Sequence, residues 1–204
     1  MLKSWSKPLL LMLLLGMPVA LYLFLQNFGE NEYQIPTFYE DGVVSPLPNC
    51  PNSEEPHLVK NFITEASCKI WDCTEVEGKL VVYSLYNNKC TTSQLVEVAR
   101  VCNNFRDQPK FHVITIPIVP QPLTSEEISE IQLYCSNEER WSWWPYQPDV
   151  DQIVRCGFNL HQNCLSTEQV ILVDTQSKIR GYYQATDPEE IDRLITEIHI
   201  LLRD

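Results

Sequence analysis

Residues 169–198 of the chain read QVILVDTQSKIRGYYQATDPEEIDRLITEI, and this stretch carries the clearest structural signals in the sequence. Two runs within it, 169–174 and 178–183, are rich in β-branched and aromatic residues, as is typical of strands. The three residues between them, Thr175 to Ser177, are enough for a tight connection. The sequence therefore predicts an antiparallel hairpin near the end of the chain.

A helix is predicted directly after the hairpin. Asp187 is a favoured N-cap residue, Pro188 suits the first helical position, and Glu190 stands where a capping box has its acidic residue. Apolar residues then recur every three or four positions and form one stripe: Ile191, Leu194, Ile195, Ile198 and Leu202. Such a helix packs with one side on a sheet.

The chain upstream of the hairpin alternates between strand and helix patterns. Residues 79–86 (KLVVYSLY) and 111–118 (FHVITIPI) have the composition of buried strands. Residues 91–105 between them place their apolar residues on one helical face, and Thr124 opens a capping box for another helix. The order strand, helix, strand, helix, hairpin, helix predicts an α/β sandwich with a parallel part and an antiparallel edge.

The N-terminal part of the chain has a different composition. Residues 8–29 carry no charge and are long enough to cross a bilayer as one helix. Lys3 and Lys7 precede this run and Glu30 follows it, a distribution that keeps the N-terminus in the cytoplasm. A cleaved signal peptide is the alternative, but the run lacks a clear small-residue cleavage motif at its end. We therefore expect a single-pass transmembrane anchor.

The remaining chain divides into a neck and a folded domain. Five prolines fall within residues 31–56, a density that prevents regular secondary structure. The predicted organisation is a cytoplasmic end and anchor over 1–29, a proline-rich neck over 30–56 and a domain over 57–204. The net charge of −12 repels phosphate backbones, which argues against nucleic acid as a partner.

All eight cysteines follow the predicted anchor, so an exported domain would carry them into oxidising conditions. Eight cysteines allow many pairings, and sequence alone does not give the connectivity. The spacing favours two disulfides over metal sites, one between Cys68 and Cys73 and one between Cys156 and Cys164. Cys102 lies on the apolar face of a predicted helix, where we expect a small core residue or a bonded one.

An aromatic group follows at residues 141–146, with three tryptophans and one tyrosine. Packing of these rings on the domain is the simpler explanation. A surface for a partner protein is the alternative, because Trp and Tyr are enriched at interfaces.

Three segments of the chain resemble the SCO/SenC family of copper-site assembly proteins. Gly78-Lys79 leads through a strand to Cys90 at the family's spacing, and residues 171–183 match its VLVD-turn-IRGYY phrase. Residues 28–42 resemble the membrane-proximal neck of a bacterial subgroup. The resemblance implies a thioredoxin-like fold, with a central mixed sheet flanked by helices. It also implies a single-pass protein of the bacterial inner membrane with its domain facing the periplasm.

The copper ligands of that family are only partly present. In the family, the two cysteines of a Cys-x-x-x-Cys motif and one histidine hold copper, a soft donor set suited to Cu(I). Cys90 matches the first cysteine, whereas Gln94 stands at the second and Ser166 at the histidine. The nearest histidine is His161, which would need a loop shift to reach the site. We expect copper binding through Cys90 and His161 to be weak.

Three functions are compatible with these residues. The favoured one is an accessory factor, not an enzyme, that contacts a respiratory oxidase subunit or copper-centre protein without holding a full copper site. The second is an envelope thiol-disulfide oxidoreductase that uses Cys90, since a helix N-terminus favours the thiolate. The third is a non-catalytic interaction module, which a fold alone never excludes. In each case we expect Gln94 and Ser166 at the surface of a pocket beside Cys90.

Overall fold

The computed structural model of the chain describes residues 6–28, 34–43, 47, 50, 56–63, 73–86, 92–118, 124, 126, 138–144, 150–160 and 168–203. The chain forms two compact units, Met1–Gln34 and Ile35–Asp204. The second unit begins well before residue 57, where the sequence analysis places the start of the domain. Ile35 is buried, and its carbonyl oxygen accepts a hydrogen bond of 2.6 Å from Arg180.

The first unit contains one helix, α1, over Ser6–Phe28, with Pro18 inside it. Its large apolar side chains between Leu11 and Phe24 are exposed. Among the helices of the described residues, none meets the length and hydropathy required of a membrane span. The structure therefore does not confirm the predicted transmembrane anchor.

The second unit is built on one five-stranded sheet. Its strands are β1 (Leu80–Tyr86), β2 (Phe111–Pro117), β3 (Trp141–Trp143), β4 (Gln169–Val173) and β5 (Ile179–Gln184), in the order β3-β2-β1-β4-β5. Strands β1, β2 and β3 are parallel, whereas β4 runs antiparallel to β1 and β5 antiparallel to β4. The predicted mixed sheet with an antiparallel edge is confirmed.

Two helices cover one face of the sheet, α2 (Thr92–Asn104) and α3 (Pro188–Leu201). Their apolar residues pack with alternate residues of β1 and β2, such as Val82 and Val113, in one core layer. Helix α3 begins as predicted: the Asp187 carboxylate accepts a hydrogen bond of 3.0 Å from the Glu189 backbone N–H, and Pro188 takes the first position. The cap and the apolar stripe together fix where this helix starts and which side it buries.

Short turns cover the other face of the sheet. They are a 3₁₀ turn over Val59–Phe62 and a one-turn helix over Val150–Gln152 that continues as a π-helical turn over Ile153–Gly157. Their side chains pack on the residues of β1 and β2 that alternate with those of the first layer. The sheet is therefore buried on both faces, which explains the nearly continuous apolar runs of β1 and β2.

Strand β3 was not predicted from the sequence. It has three residues, too few for an alternating pattern to be visible, and it pairs with β2 through Trp141 opposite Val113. Trp141 and Trp144 are buried, and the Trp141 indole N–H donates a hydrogen bond of 2.8 Å to the Thr115 hydroxyl. The expectation that the aromatic group packs on the domain is confirmed for these two tryptophans.

One disulfide joins Cys50 to Cys156 across a sequence separation of 106 residues. The predicted bridge between Cys156 and Cys164 is therefore wrong, because Cys50, which also belongs to the second unit, lies against the π-helical turn and bonds Cys156. Cys102 is a buried thiol in the core layer of α2, as predicted. Cys68 and most of the helix predicted from Thr124 lie outside the described residues.

Candidate functional site

The resemblance places the candidate site where β1 ends and α2 begins. Of the four predicted site residues, Gln94 lies in the first turn of α2. Cys90, His161 and Ser166 lie outside the described residues. The geometry of the site is therefore built from Gln94 and the residues around the end of β1.

Gln94 connects the two elements that frame the site. Its side-chain amide donates a hydrogen bond of 2.9 Å to the carbonyl oxygen of Leu85. The pairing of β1 with β4 extends to Ser84 opposite Val170, so Leu85 lies beyond the ladder on that side. Gln94 supplies a partner to a carbonyl group at the strand end and holds α2 against β1.

The burial of Gln94 corrects the expectation of a surface position. Its side chain is fully buried, with 0% of the residue exposed. The neighbouring residue Leu95 is also buried, so this first turn of α2 faces the sheet. Position 94 is thus part of the protein interior and does not line an open pocket with its side chain.

The buried amide of Gln94 leaves one polar atom without a partner. Its Oε1 atom accepts no hydrogen bond from any residue that the structure describes, and the same holds for the hydroxyl of Ser84 in the same core layer. An unpaired buried polar group costs on the order of 1–3 kcal/mol. The sequence analysis marked Gln94 as a lost ligand but did not detect this polar pair, because its members belong to two different elements.

The one described donor among the four candidate positions, Gln94, does not suit copper. An amide oxygen is a hard donor, whereas Cu(I) prefers thiolate and imidazole. Within the described ranges, no group of three or more His, Cys, Asp or Glu side chains is placed to hold a metal ion. The described part of the candidate site therefore does not fit a copper centre.

Backbone pairs and aromatic rings close the same end of the sheet. The Ile118 N–H donates a hydrogen bond of 2.8 Å to the Tyr86 carbonyl oxygen, and the Tyr86 ring meets the Trp143 ring edge to face. On the hairpin side, the Ala185 N–H donates a hydrogen bond of 2.8 Å to the carbonyl oxygen of Glu168. These contacts hold the backbone around the candidate site in place. None of them involves a nucleophilic side chain.

A buried histidine lies on the opposite face of β2 from the α2 layer. His112 is 2% exposed, and its Nε2 atom is 2.8 Å from the hydroxyl oxygen of Ser142. Burial, with the positive charges of Lys79 and Arg140, lowers the pKa of His112 to about 4. The imidazole is therefore neutral at pH 7, and sequence analysis did not single it out because one polar residue in an apolar strand is a weak signal.

Comparison with known proteins shows similarity at the level of structure. No protein-family model matches the chain, and no curated protein matches it. BsSco, described as a member of the Sco family of cytochrome c oxidase assembly proteins, aligns with a TM-score of 0.50 and 10% identity, over 64% of this chain and 84% of that one. A SCO1/SenC family lipoprotein from Bacillus anthracis aligns with a TM-score of 0.51 and 15% identity, over 63% and 84%.

A third solved structure belongs to a different class of protein. A putative protein disulfide isomerase from Bacteroides thetaiotaomicron aligns with a TM-score of 0.48 and 14% identity, over 64% of this chain and 78% of that one. At identities this low, a structural match establishes the fold and not the activity. The chain therefore has the thioredoxin-like α/β fold that its SCO/SenC neighbours also have, in agreement with the sequence analysis.

Proposed function

We propose that this chain is a diverged SCO/SenC-like accessory protein that acts in the assembly of a copper centre or a respiratory oxidase by contacting its partner protein. The main support for the proposal is the burial of Gln94 and its hydrogen bond to Leu85. This residue occupies the position of the family's second copper cysteine, and its side chain is buried and bonded to Leu85. The fold supports an SCO-like role, and position 94 argues against a full copper site.

The ligand preference of Cu(I) explains why glutamine in place of cysteine at position 94 would lower the affinity for copper. Cu(I) is held well when two thiolates and an imidazole fill its coordination sphere. With Gln94 turned into the core, Cys90 would be the one thiolate that the motif supplies. A single thiolate leaves the ion exposed to competing ligands, so the function would rest on protein contacts and not on stored copper.

Copper competition tests this part of the proposal. The full chain in detergent would be loaded with Cu(I) and titrated with a strong Cu(I) chelator. We expect the chelator to remove all of the metal. Stoichiometric binding that survives the chelator contradicts the proposal, and loss of that binding in His161→Ala would identify the additional ligand.

A complementation assay distinguishes a function by contact with the partner protein from a function that requires Cys90. In a strain that lacks the chain, we expect a reduced copper-centre signal in the respiratory oxidase. The variant Cys90→Ala should restore this signal if the chain acts by contact. Failure of Cys90→Ala, together with insulin reduction that depends on Cys90, would instead indicate a thiol-disulfide oxidoreductase.

We also propose that the N-terminal segment attaches the protein to the bacterial inner membrane, with the folded domain in the periplasm. The uncharged run of residues 8–29 and the exposed apolar side chains between Leu11 and Phe24 support this location. Reporter fusions after Gly29 should be active in the periplasm and should sediment with membranes. A soluble mature protein that starts near residue 30 would contradict the anchor.

A further inference from the structure

The second unit contains a cavity at the opposite end of β1 from Gln94. Its volume is about 590 Å³, within the range of small-molecule sites. The sheet contributes Val81, Tyr83 and Val173, and Val81 pairs directly with Val173 across β1 and β4. Val59 and Val76 add apolar side chains from two 3₁₀ turns. The cavity therefore has an apolar floor on a rigid sheet, and half of its fourteen lining residues are polar or charged.

Lys79 brings a positive charge to this cavity. Gly78, which precedes it, has a φ angle of +69°, a conformation that favours glycine, and the turn directs the chain into β1 at Lys79. Lys79 is half-buried and lines the cavity, and within the described part of the chain it forms no ion pair. A second lysine of the lining, Lys60, is exposed.

The acidic residues of the lining do not neutralise Lys79. The Asp174 carboxylate accepts hydrogen bonds of 2.9 Å from the backbone N–H groups of Gln176 and Lys178. It also pairs with the Arg180 guanidinium at 3.3 Å. The remaining acid, Glu77, is exposed in the turn before β1. Among the residues that the structure describes, the half-buried charge of Lys79 thus has no paired carboxylate, although the chain as a whole is strongly acidic.

Tyr83 adds a hydrogen-bond donor to the same lining. It is 3% exposed, and its ring lies 4.9 Å from the Phe158 ring. Burial raises the pKa of Tyr83, so the hydroxyl keeps its proton at neutral pH. Because Tyr83 lines the cavity, its protonated hydroxyl can donate a hydrogen bond to a ligand there.

We propose that this cavity binds a small organic anion with an apolar body. Its anionic group pairs with Lys79 and accepts a hydrogen bond from the Tyr83 hydroxyl, and its apolar part lies on Val81 and Val173. A hydrogen bond that involves a charged group is stronger than one between neutral groups. The apolar side chains of the lining remove the hydrocarbon part of the ligand from water. The site lies apart from the end of β1 near Gln94, so it does not depend on the function proposed above.

Octanoate, 1-octanol and octylammonium form a matched set of probes, because they have eight-carbon chains and differ in charge. We expect octanoate to bind the full chain saturably in calorimetry and to shift the backbone amide signals of Gly78 and Val173. The variant Lys79→Met should weaken octanoate binding by about tenfold, the loss of one charge-assisted hydrogen bond. Lys79→Arg should retain the binding, and Tyr83→Phe should weaken it several-fold.

Lys110→Met is the matched control, because Lys110 is an exposed lysine outside the cavity. This variant should bind octanoate as the unchanged chain does. Helix α1 is exposed and present in both variants, so binding of the probe to α1 would appear equally in Lys79→Met and Lys110→Met. Octanol should bind at least tenfold more weakly than octanoate. Octanoate binding that Lys79→Met leaves unchanged, equal binding of octylammonium, or no saturable binding would each overturn the proposal.

Discussion

The side-chain amide of Gln94 lies 2.9 Å from the carbonyl oxygen of Leu85 and donates a hydrogen bond to it inside the core. This bond joins the first turn of α2 to the end of β1. The same position in the SCO/SenC motif carries a cysteine that holds copper. In this chain, residue 94 connects a helix to a strand through its side chain.

The bond predicts a measurable loss of stability in Gln94→Met. The methionine has a similar volume but no donor, so the Leu85 carbonyl oxygen loses its side-chain partner, and this loss is partly offset because the buried Oε1 atom is also removed. We expect the free energy of unfolding to fall by about 1 kcal/mol. Chemical denaturation followed by circular dichroism measures this change. Val96→Met, at an exposed position of the same helix, should change the free energy by less than about 0.5 kcal/mol.

A copper site should be recoverable by substitution. Gln94→Cys restores the Cys-x-x-x-Cys spacing with Cys90, and Ser166→His restores the family's third ligand. Cysteine lacks the amide that bonds the Leu85 carbonyl oxygen, so the side chain at position 94 is no longer held in the core by that bond. We expect Cu(I) affinity to rise steeply in the double variant and only partly in each single one, since the ligands act on one ion. Chelator competition measures the affinity. Equal, weak binding by all variants, with the fold intact by circular dichroism, would show that these positions do not converge.

The Cys50–Cys156 disulfide should make a large contribution to stability. It closes a loop of 106 residues, and the chain-entropy treatment gives about 4–5 kcal/mol for a loop of that length. The variant Cys50→Ala should lower the free energy of unfolding by up to this amount. Adding Cys156→Ala should change it little further, because the bridge is already absent. Additive losses from the two substitutions would mean that the cysteines contribute mainly by packing.

His112 should make the protein less stable as the pH falls. Its pKa is about 4 in the folded chain against 6.5 in the unfolded one, so the unfolded state binds more protons between these values. The free energy of unfolding should therefore decrease from about pH 6.5 to pH 4, by roughly 3 kcal/mol in total. Denaturation at a series of pH values measures the slope.

A matched pair of variants isolates the contribution of His112. His112→Gln removes the titrating group and should flatten this part of the pH dependence, even though it lowers stability at pH 7. His199→Gln changes an exposed histidine of α3 and should preserve the slope. If both variants keep the same slope as the unchanged chain, another group is responsible for the pH dependence.

The hairpin and the last helix followed from local sequence patterns. Asp187 and Pro188 mark the start of α3 because capping satisfies backbone N–H groups within one turn of the chain. The apolar runs of β1 and β2 likewise indicated strands buried on both faces. These signals were sufficient for these elements because each is specified by residues that are neighbours in sequence, whereas the short strand β3 carried no such signal.

The candidate site was located by the spacing from Gly78-Lys79 to Cys90, but its chemistry depended on the fold. The resemblance to the SCO/SenC motif implied that Gln94 stands where that family has a cysteine. It did not show that the amide turns inward to Leu85, because that direction depends on how α2 packs on the sheet. The cavity beside Lys79 was also undetected, since its lining comes from two 3₁₀ turns, β1 and the β4–β5 turn.

The sequence by itself therefore determined the order of most elements and the faces that they bury. The tertiary structure decided that Cys50 bonds Cys156, that Gln94 is a core residue and that Lys79 and Tyr83 share a cavity. The physical reason is the range of the interactions. Capping and amphipathic periodicity act within a few residues, whereas these three relationships arise from segments that come together only when the sheet has formed.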